Sequence, residues 1–280
     1  MKKLVLVLST LLLIMSSAAF AQETTPAPTN DSAEIEKLQT ALKRDQKRLE
    51  DWPNLNRYRE ADSQVEPPTP GEQRVVFMGD SITDIWGRQR GTFFPGKPYI
   101  NRGISGQTTA QMLLRFRPDV INLQPKAVVI LAGTNDIAGN TGPATLDEIM
   151  GNLESMAQLA KANGIRVVLA SVTPDCDSIK VQSVRRPPEK IVALNQLIKD
   201  YATKNGIVYL DYYSALADDH GLFKQDLTYD CLHPNTAGFD VMGPLAEKAI
   251  ETALAESKPN IHANPHTWHP KNASSKKKIE

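Results

Sequence analysis

Four short stretches of the chain carry side chains able to do chemistry together. Gly79-Asp80-Ser81-Ile82-Thr83 places a hydroxyl just after an apolar run, where the chain turns into a helix. A hydroxyl at a helix start lies among free backbone N–H groups that favour developing negative charge, although a serine there also reads as a plain N-cap. Ile104-Ser105-Gly106 offers a glycine whose backbone N–H can approach a ligand with no side chain in the way. Gly133-Thr134-Asn135-Asp136 offers a side-chain amide, and Asp230-Cys231-Leu232-His233-Pro234 sets a carboxylate three residues before an imidazole. The carboxylate can fix the tautomer of that imidazole, and the imidazole can take a proton from a serine. Each of these is also a common turn, cap or structural residue. Their order along the chain, each at the exit of an apolar run, points to nucleophilic acyl transfer with Ser81, Asp230 and His233 as triad.

Parallel strands meet that positioning demand. Short apolar runs at residues 74–78, 99–100, 127–131, 166–170 and 207–210 alternate with helical stretches near 108–116, 144–163, 187–205 and 234–255. Continuously apolar strands are buried on both faces, and long crossovers between them require parallel pairing. The fold class is therefore α/β, a three-layer α/β/α sandwich around a mainly parallel, flavodoxin-like sheet, with ligands expected beyond the carboxyl ends of the strands. Gly164 and Gly206 fall where helix C-caps are expected.

With these blocks in order over residues 75–255, the chain resembles the SGNH, or GDSL-type, hydrolase superfamily. Gly79-Asp80-Ser81-Ile82 stands for its first block, with Ile for Leu; Gly106 is the oxyanion glycine of the second; Gly133-Thr134-Asn135-Asp136 is the third and Asp230-Cys231-Leu232-His233-Pro234 the fifth. The resemblance implies a serine esterase whose oxyanion hole is made by the backbone N–H groups of Ser81 and Gly106 and the amide of Asn135. It implies no cofactor and no metal. The Gly-x-Ser-x-Gly elbow of α/β-hydrolases is absent around Ser81, and Ser105 competes as nucleophile only superficially. Family members act on carbohydrate acetates, phospholipids and thioesters. A low aromatic content of 6% and the lack of a long amphipathic lid tilt the reading to a short-chain, acetyl ester on a carbohydrate or small molecule. Arg185 and Arg186 are candidate substrate contacts, or else solvated charge before a helix opened by Pro187. A non-catalytic carbohydrate-binding module on the same scaffold is the rival from another class.

The ends of the chain concern the compartment. Lys2 and Lys3, an apolar run over residues 4–15 and Ala19-Phe20-Ala21 have the form of a cleavable signal peptide, residues 1–21. The run is short for a membrane span, so a periplasmic or secreted protein without a stable span is expected. Residues 22–70 read as a flexible lead-in followed by an amphipathic helix marked by Ile35, Leu38, Leu42 and Leu49, residues 71–256 as the hydrolase domain, and residues 257–280 as a disordered basic tail. In that tail His262, His266 and His269 lack the folded context of a metal site. The 32 basic residues balance the 32 acidic ones, which argues against a nucleic-acid partner. Export permits Cys176 and Cys231 to pair, but two buried thiols fit the sequence equally well. Oligomeric state is not readable.

Overall fold

The computed structural model describes residues 30–255. Residues 1–21, read as a signal peptide, the start of the lead-in and the segment with the three histidines lie outside them. The chain divides into two compact units, one ending at Glu50 and one beginning at Asp51. In the first, helix α1 runs over Asn30–Glu50 and exposes Ile35, Leu38, Leu42 and Leu49 to between 54 and 73%.

The second unit is built on five parallel strands in the order β2-β1-β3-β4-β5: β1 Val75–Gly79, β2 Tyr99–Gly103, β3 Ala127–Leu131, β4 Arg166–Ala170 and β5 Val208–Leu210. Pairing is in register, with Gly79 opposite Gly103 on one side and Leu131 on the other, so the strands end at one edge. The period-two alternation of the strands feeds two cores. Val76, Met78, Val128, Ile130, Val167 and Leu169 pack with the helices α4 (Thr109–Asp119), α6 (Leu146–Ala162) and α7 (Pro188–Lys204). Val75, Phe77, Val129, Leu131, Val168 and Ala170 face the other way, toward α3 (Ser81–Ile85), α8 (Tyr212–Leu216) and α9 (Thr236–Ala255). These are the two helix layers that continuously apolar parallel strands require. At β1 the strand order reverses, and ligands bind at such switch points.

Residues 51–70, placed by the sequence before the hydrolase domain, belong to this second unit. They carry the short helix α2 (Arg59–Ser63). Tyr58 is buried, its hydroxyl donates to the Gly103 carbonyl at the end of β2, and the guanidinium of Arg102 lies 4.7 Å from its ring centroid. The Trp52 and Pro53 carbonyls accept from the side chains of Gln111 and Gln107. This segment thus braces the loop that leads from β2 into α4.

Candidate active site

Ser81 opens α3 two residues past Gly79, and Asp80 between them caps that helix by accepting from the Ile82 N–H at 3.0 Å. The turn is too tight for a side chain at Gly79: a Cβ there would run into the Thr83 hydroxyl and come within 3.0 Å of the Leu131 carbonyl. A chain of hydrogen bonds starts at Ser81. Its Oγ lies 2.8 Å from His233 Nε2, and His233 Nδ1 lies 2.8 Å from Asp230 Oδ2. The second carboxylate oxygen, Oδ1, accepts from the backbone N–H groups of Leu232 and His233 at 3.1 and 2.8 Å. Burial opposes the ionisation of Asp230, but those N–H bonds and the adjacent imidazole outweigh it and hold the carboxyl below its ordinary range. The Asp-x-x-His spacing is what lets one carboxylate grip both the imidazole and the backbone of its own loop. The ring of Tyr229 stacks on His233 at 5.6 Å between centroids and 17° between planes, and Arg90 covers its ring at 3.6 Å. Nothing in the sequence marked this stack.

The donors expected around an oxyanion come from the next two strand exits. Gly106 has φ +79°, a left-handed conformation that favours glycine, and its N–H has no acceptor among the described residues. Asn135 is 3% exposed in the short helix α5 (Thr134–Ile137); its Nδ2 donates to the Gln107 carbonyl at 3.1 Å and keeps a second N–H. Asp136 ties the same block to the start of α4, accepting from the N–H and hydroxyl of Thr109 at 3.0 and 2.5 Å. Burial pushes its carboxyl up against those bonds. Ser105 is not next to the imidazole: it is exposed, and its hydroxyl donates to Asp84 at 2.7 Å.

The two arginines separate. Arg185 is exposed and its Nη2 reaches the Ala138 carbonyl and Asn140 Oδ1 at 2.9 and 2.8 Å. Arg186, expected as a substrate contact, is instead 5% exposed. It donates inward to Thr134 Oγ1 at 3.0 Å, Asn135 Oδ1 at 3.2 Å and Gln182 Oε1 at 3.1 Å. The cysteines join: Cys176, after β4, is disulfide-bonded to Cys231, inside the Asp-x-x-His loop. Among the described residues no His, Cys, Asp and Glu cluster could hold a metal ion.

Two further carboxyls in this neighbourhood, besides Asp136, are buried. Burial pushes Asp175 up to about 7, with the charge of Asp177 acting the same way and that of Arg186 opposing it, and its Oδ2 has no hydrogen-bond partner among the described residues. Asp80 is likewise raised to about 7, again chiefly by burial. An aspartate in the unfolded chain ionises near pH 4. Between that pH and about 7 the unfolded chain has lost a proton that the folded protein keeps, so rising pH favours unfolding through this window. The stabilising share of Asp175 is complete below about pH 4 and gone above about 7. Asp175→Asn should therefore raise the melting temperature, relative to wild type, more at pH 8 than at pH 5. An equal change at the two pH values, in parallel thermal melts, would refute the burial of a protonated Asp175.

A model of the GDSL-like lipase/acylhydrolase family matches residues 77–241, more than half of the chain, and spans all of the blocks above. A GDSL-like lipase structure from Bacteroides thetaiotaomicron superposes with a TM-score of 0.67 and 45% identity, covering 72% of this chain and 98% of that one. A candidate acylhydrolase from Bacteroides fragilis superposes with a TM-score of 0.68 and 44% identity over the same shares. An acetylxylan esterase of Geobacillus stearothermophilus is 26% identical over 203 residues, 61% of this chain and 90% of the relative. The chain therefore belongs to the GDSL-like lipase/acylhydrolase family and is a carboxylic ester hydrolase.

Proposed function

We propose that the protein is an exported serine esterase that removes short acyl groups, acetyl foremost, from a carbohydrate or small-molecule ester. The observation that carries the reading is the unbroken chain Ser81 Oγ–His233–Asp230, with both links at 2.8 Å. In the reaction Ser81 Oγ bonds to the ester carbonyl carbon while its proton passes to His233 Nε2. The oxyanion is held by the N–H groups of Ser81 and Gly106 and by the second N–H of Asn135. Collapse of the tetrahedral intermediate breaks the ester C–O bond, and the leaving alkoxide takes the proton from His233. Water then attacks the acyl-enzyme, gives a proton to His233, and collapse frees the acid as the proton returns to Ser81. Asp230 keeps its negative charge throughout and steadies the imidazolium.

The acetyl preference is supported by the relative named an acetylxylan esterase and by polar groups near the triad, with Arg90 over the Tyr229 ring that stacks on His233. Arg185 is the exposed arginine of the pair, and beyond its Nη2 bonds to Ala138 and Asn140 it keeps N–H groups that can meet a polar leaving group. Export is supported by the leader-like residues 1–21, which lie outside the described residues, and by the disulfide, which suits an oxidising compartment. No described helix is long and apolar enough to cross a membrane.

A second reading has its own observation. Ile179, Val181 and Val184 are 53, 62 and 82% exposed on the loop beside the Asp230–His233 segment, and such a patch suits a longer acyl chain, as in a lysophospholipase or thioesterase. Initial rates on p-nitrophenyl acetate, butyrate and octanoate separate the two. Turnover falling from acetate to octanoate is expected; a preference for octanoate would replace the acetyl reading with the longer-chain one.

A further inference from the structure

An oxyanion hole built on a side-chain amide has a weakness that one built on backbone does not share. The amide can rotate by half a turn, which exchanges a donor for an acceptor and points a carbonyl oxygen at a developing negative charge. The rotation must be forbidden by partners that recognise each end of the group. For Asn135 the nitrogen end is identified by the Gln107 carbonyl, an acceptor only. The oxygen end meets two donors, Asn140 Nδ2 at 3.0 Å and Arg186 Nη2 at 3.2 Å. A flipped amide would face a guanidinium and an NH₂ with its own NH₂ and would lose every one of these bonds.

The two donors are themselves fixed. Asn140 Nδ2 also donates to the Gly106 carbonyl at 3.0 Å, so one side chain spans the two loops that supply the Gly106 and Asn135 donors. Its own oxygen is named by Arg185 Nη2 at 2.8 Å. Arg186 is held by Thr134 and Gln182, and its charge is countered by Asp230, the one of its three carboxyl neighbours held below the ordinary range. A guanidinium has no acceptor atom and cannot deprotonate, so it can only donate to Asn135. Its positive charge also polarises the amide in the sense that strengthens the remaining N–H as a donor.

We infer that Arg186 and Asn140 are positioning residues for catalysis, locking the Asn135 amide with its free N–H toward the oxyanion and joining it to the Gly106 loop. Arg186 thus serves the reaction from behind the hole and does not grip the substrate. The inference rests on the reading of Asn135 as an oxyanion donor, and the experiment separates the two.

Kinetics are measured for Asn135→Ala, Arg186→Met, Asn140→Ala and the two double variants that carry Asn135→Ala, on whichever p-nitrophenyl ester the wild type turns over fastest. Asn135→Ala should lower kcat by about 10²- to 10³-fold, the usual effect of deleting one such donor. Arg186→Met should lower kcat by about 10²-fold and Asn140→Ala by about tenfold, each with KM changed by less than about threefold, since a misaimed donor is felt mainly in the transition state. In the Asn135→Ala background each should lower kcat by less than about threefold further, because residues acting through one group are not additive. Full multiplication of the effects in that background would overturn the inference, as would a raised KM with kcat retained, which would return Arg186 to substrate binding. Should Arg186→Met fail to fold, Asn140→Ala and its double variant decide alone by the same criteria. A folded Asn135→Ala enzyme of near-normal kcat would instead remove the oxyanion reading beneath it.

Discussion

Ser81→Ala should lower kcat by at least about 10⁴-fold on any ester the protein hydrolyses, with fold and melting temperature unchanged. The hydroxyl is the group that the Asp230–His233 pair is arranged to activate, and its removal leaves the imidazole 2.8 Å from where no nucleophile stands. Residues that act as a unit are strongly non-additive, so Ser81→Ala combined with His233→Ala should be no slower than the worse of the two alone. Ser105 is poorly placed to substitute: its hydroxyl and N–H both turn to one oxygen of Asp84. A serine-directed phosphonate should label wild type at Ser81 and leave Ser81→Ala unlabelled. Retention of more than about a tenth of kcat by the variant would remove Ser81 as nucleophile. Absence of both labelling and turnover in folded wild type would favour a carbohydrate-binding module on this scaffold.

Much of this arrangement could be read in the sequence because it is local or strictly periodic. Continuously apolar runs specified the five strands, and even the weak Tyr99-Ile100 signal belongs to a paired strand. The Asp-x-x-His spacing is short enough that one loop fixes both groups; Ser81, Gly106 and Asn135 follow the exits of β1, β2 and β3, whereas His233 reaches Ser81 from the segment just before α9, well past the end of β5. What escaped was set by distance in space. Arg185 and Arg186 read as substrate contacts or solvated charge, yet Arg186 is drawn inside by Thr134, Asn135 and Gln182, and no sequence motif marks Asn140, whose amide spans the Gly106 and Asn135 loops. No residue pattern states how near Cys176 lies to Cys231, because that separation follows from where β4 ends and where the Asp230–His233 loop lies in the fold.

That disulfide carries the last expectation. It joins residues 55 apart in sequence, one after β4 and the other between Asp230 and His233. Constraining the unfolded chain over a loop of that length is worth about 4 kcal/mol in the chain-entropy model. For a chain of this size such a loss lowers the melting temperature by roughly 8–16 °C. A second effect concerns catalysis. Cys231 has φ +68°, a left-handed conformation that a non-glycine residue adopts reluctantly. It is held there by the bridge, by its carbonyl accepting the Cys176 N–H at 3.0 Å, and by its sulfur accepting the Ile179 N–H at 3.3 Å. If the bridge is removed, nothing covalent opposes relaxation of that φ, and the turn presenting the Leu232 and His233 N–H groups to Asp230 opens. Misplacing a catalytic group by about 1 Å can cost on the order of 10²-fold in rate. The Cys176→Ser/Cys231→Ser variant should accordingly melt within that lower range and, assayed well below its midpoint, lose about 10- to 100-fold in kcat. Dithiothreitol-reduced wild type should behave the same way. A variant that melts lower yet keeps its kcat would mean that the hydrogen bonds of Asp230 alone hold the loop, and the bridge would then serve stability only.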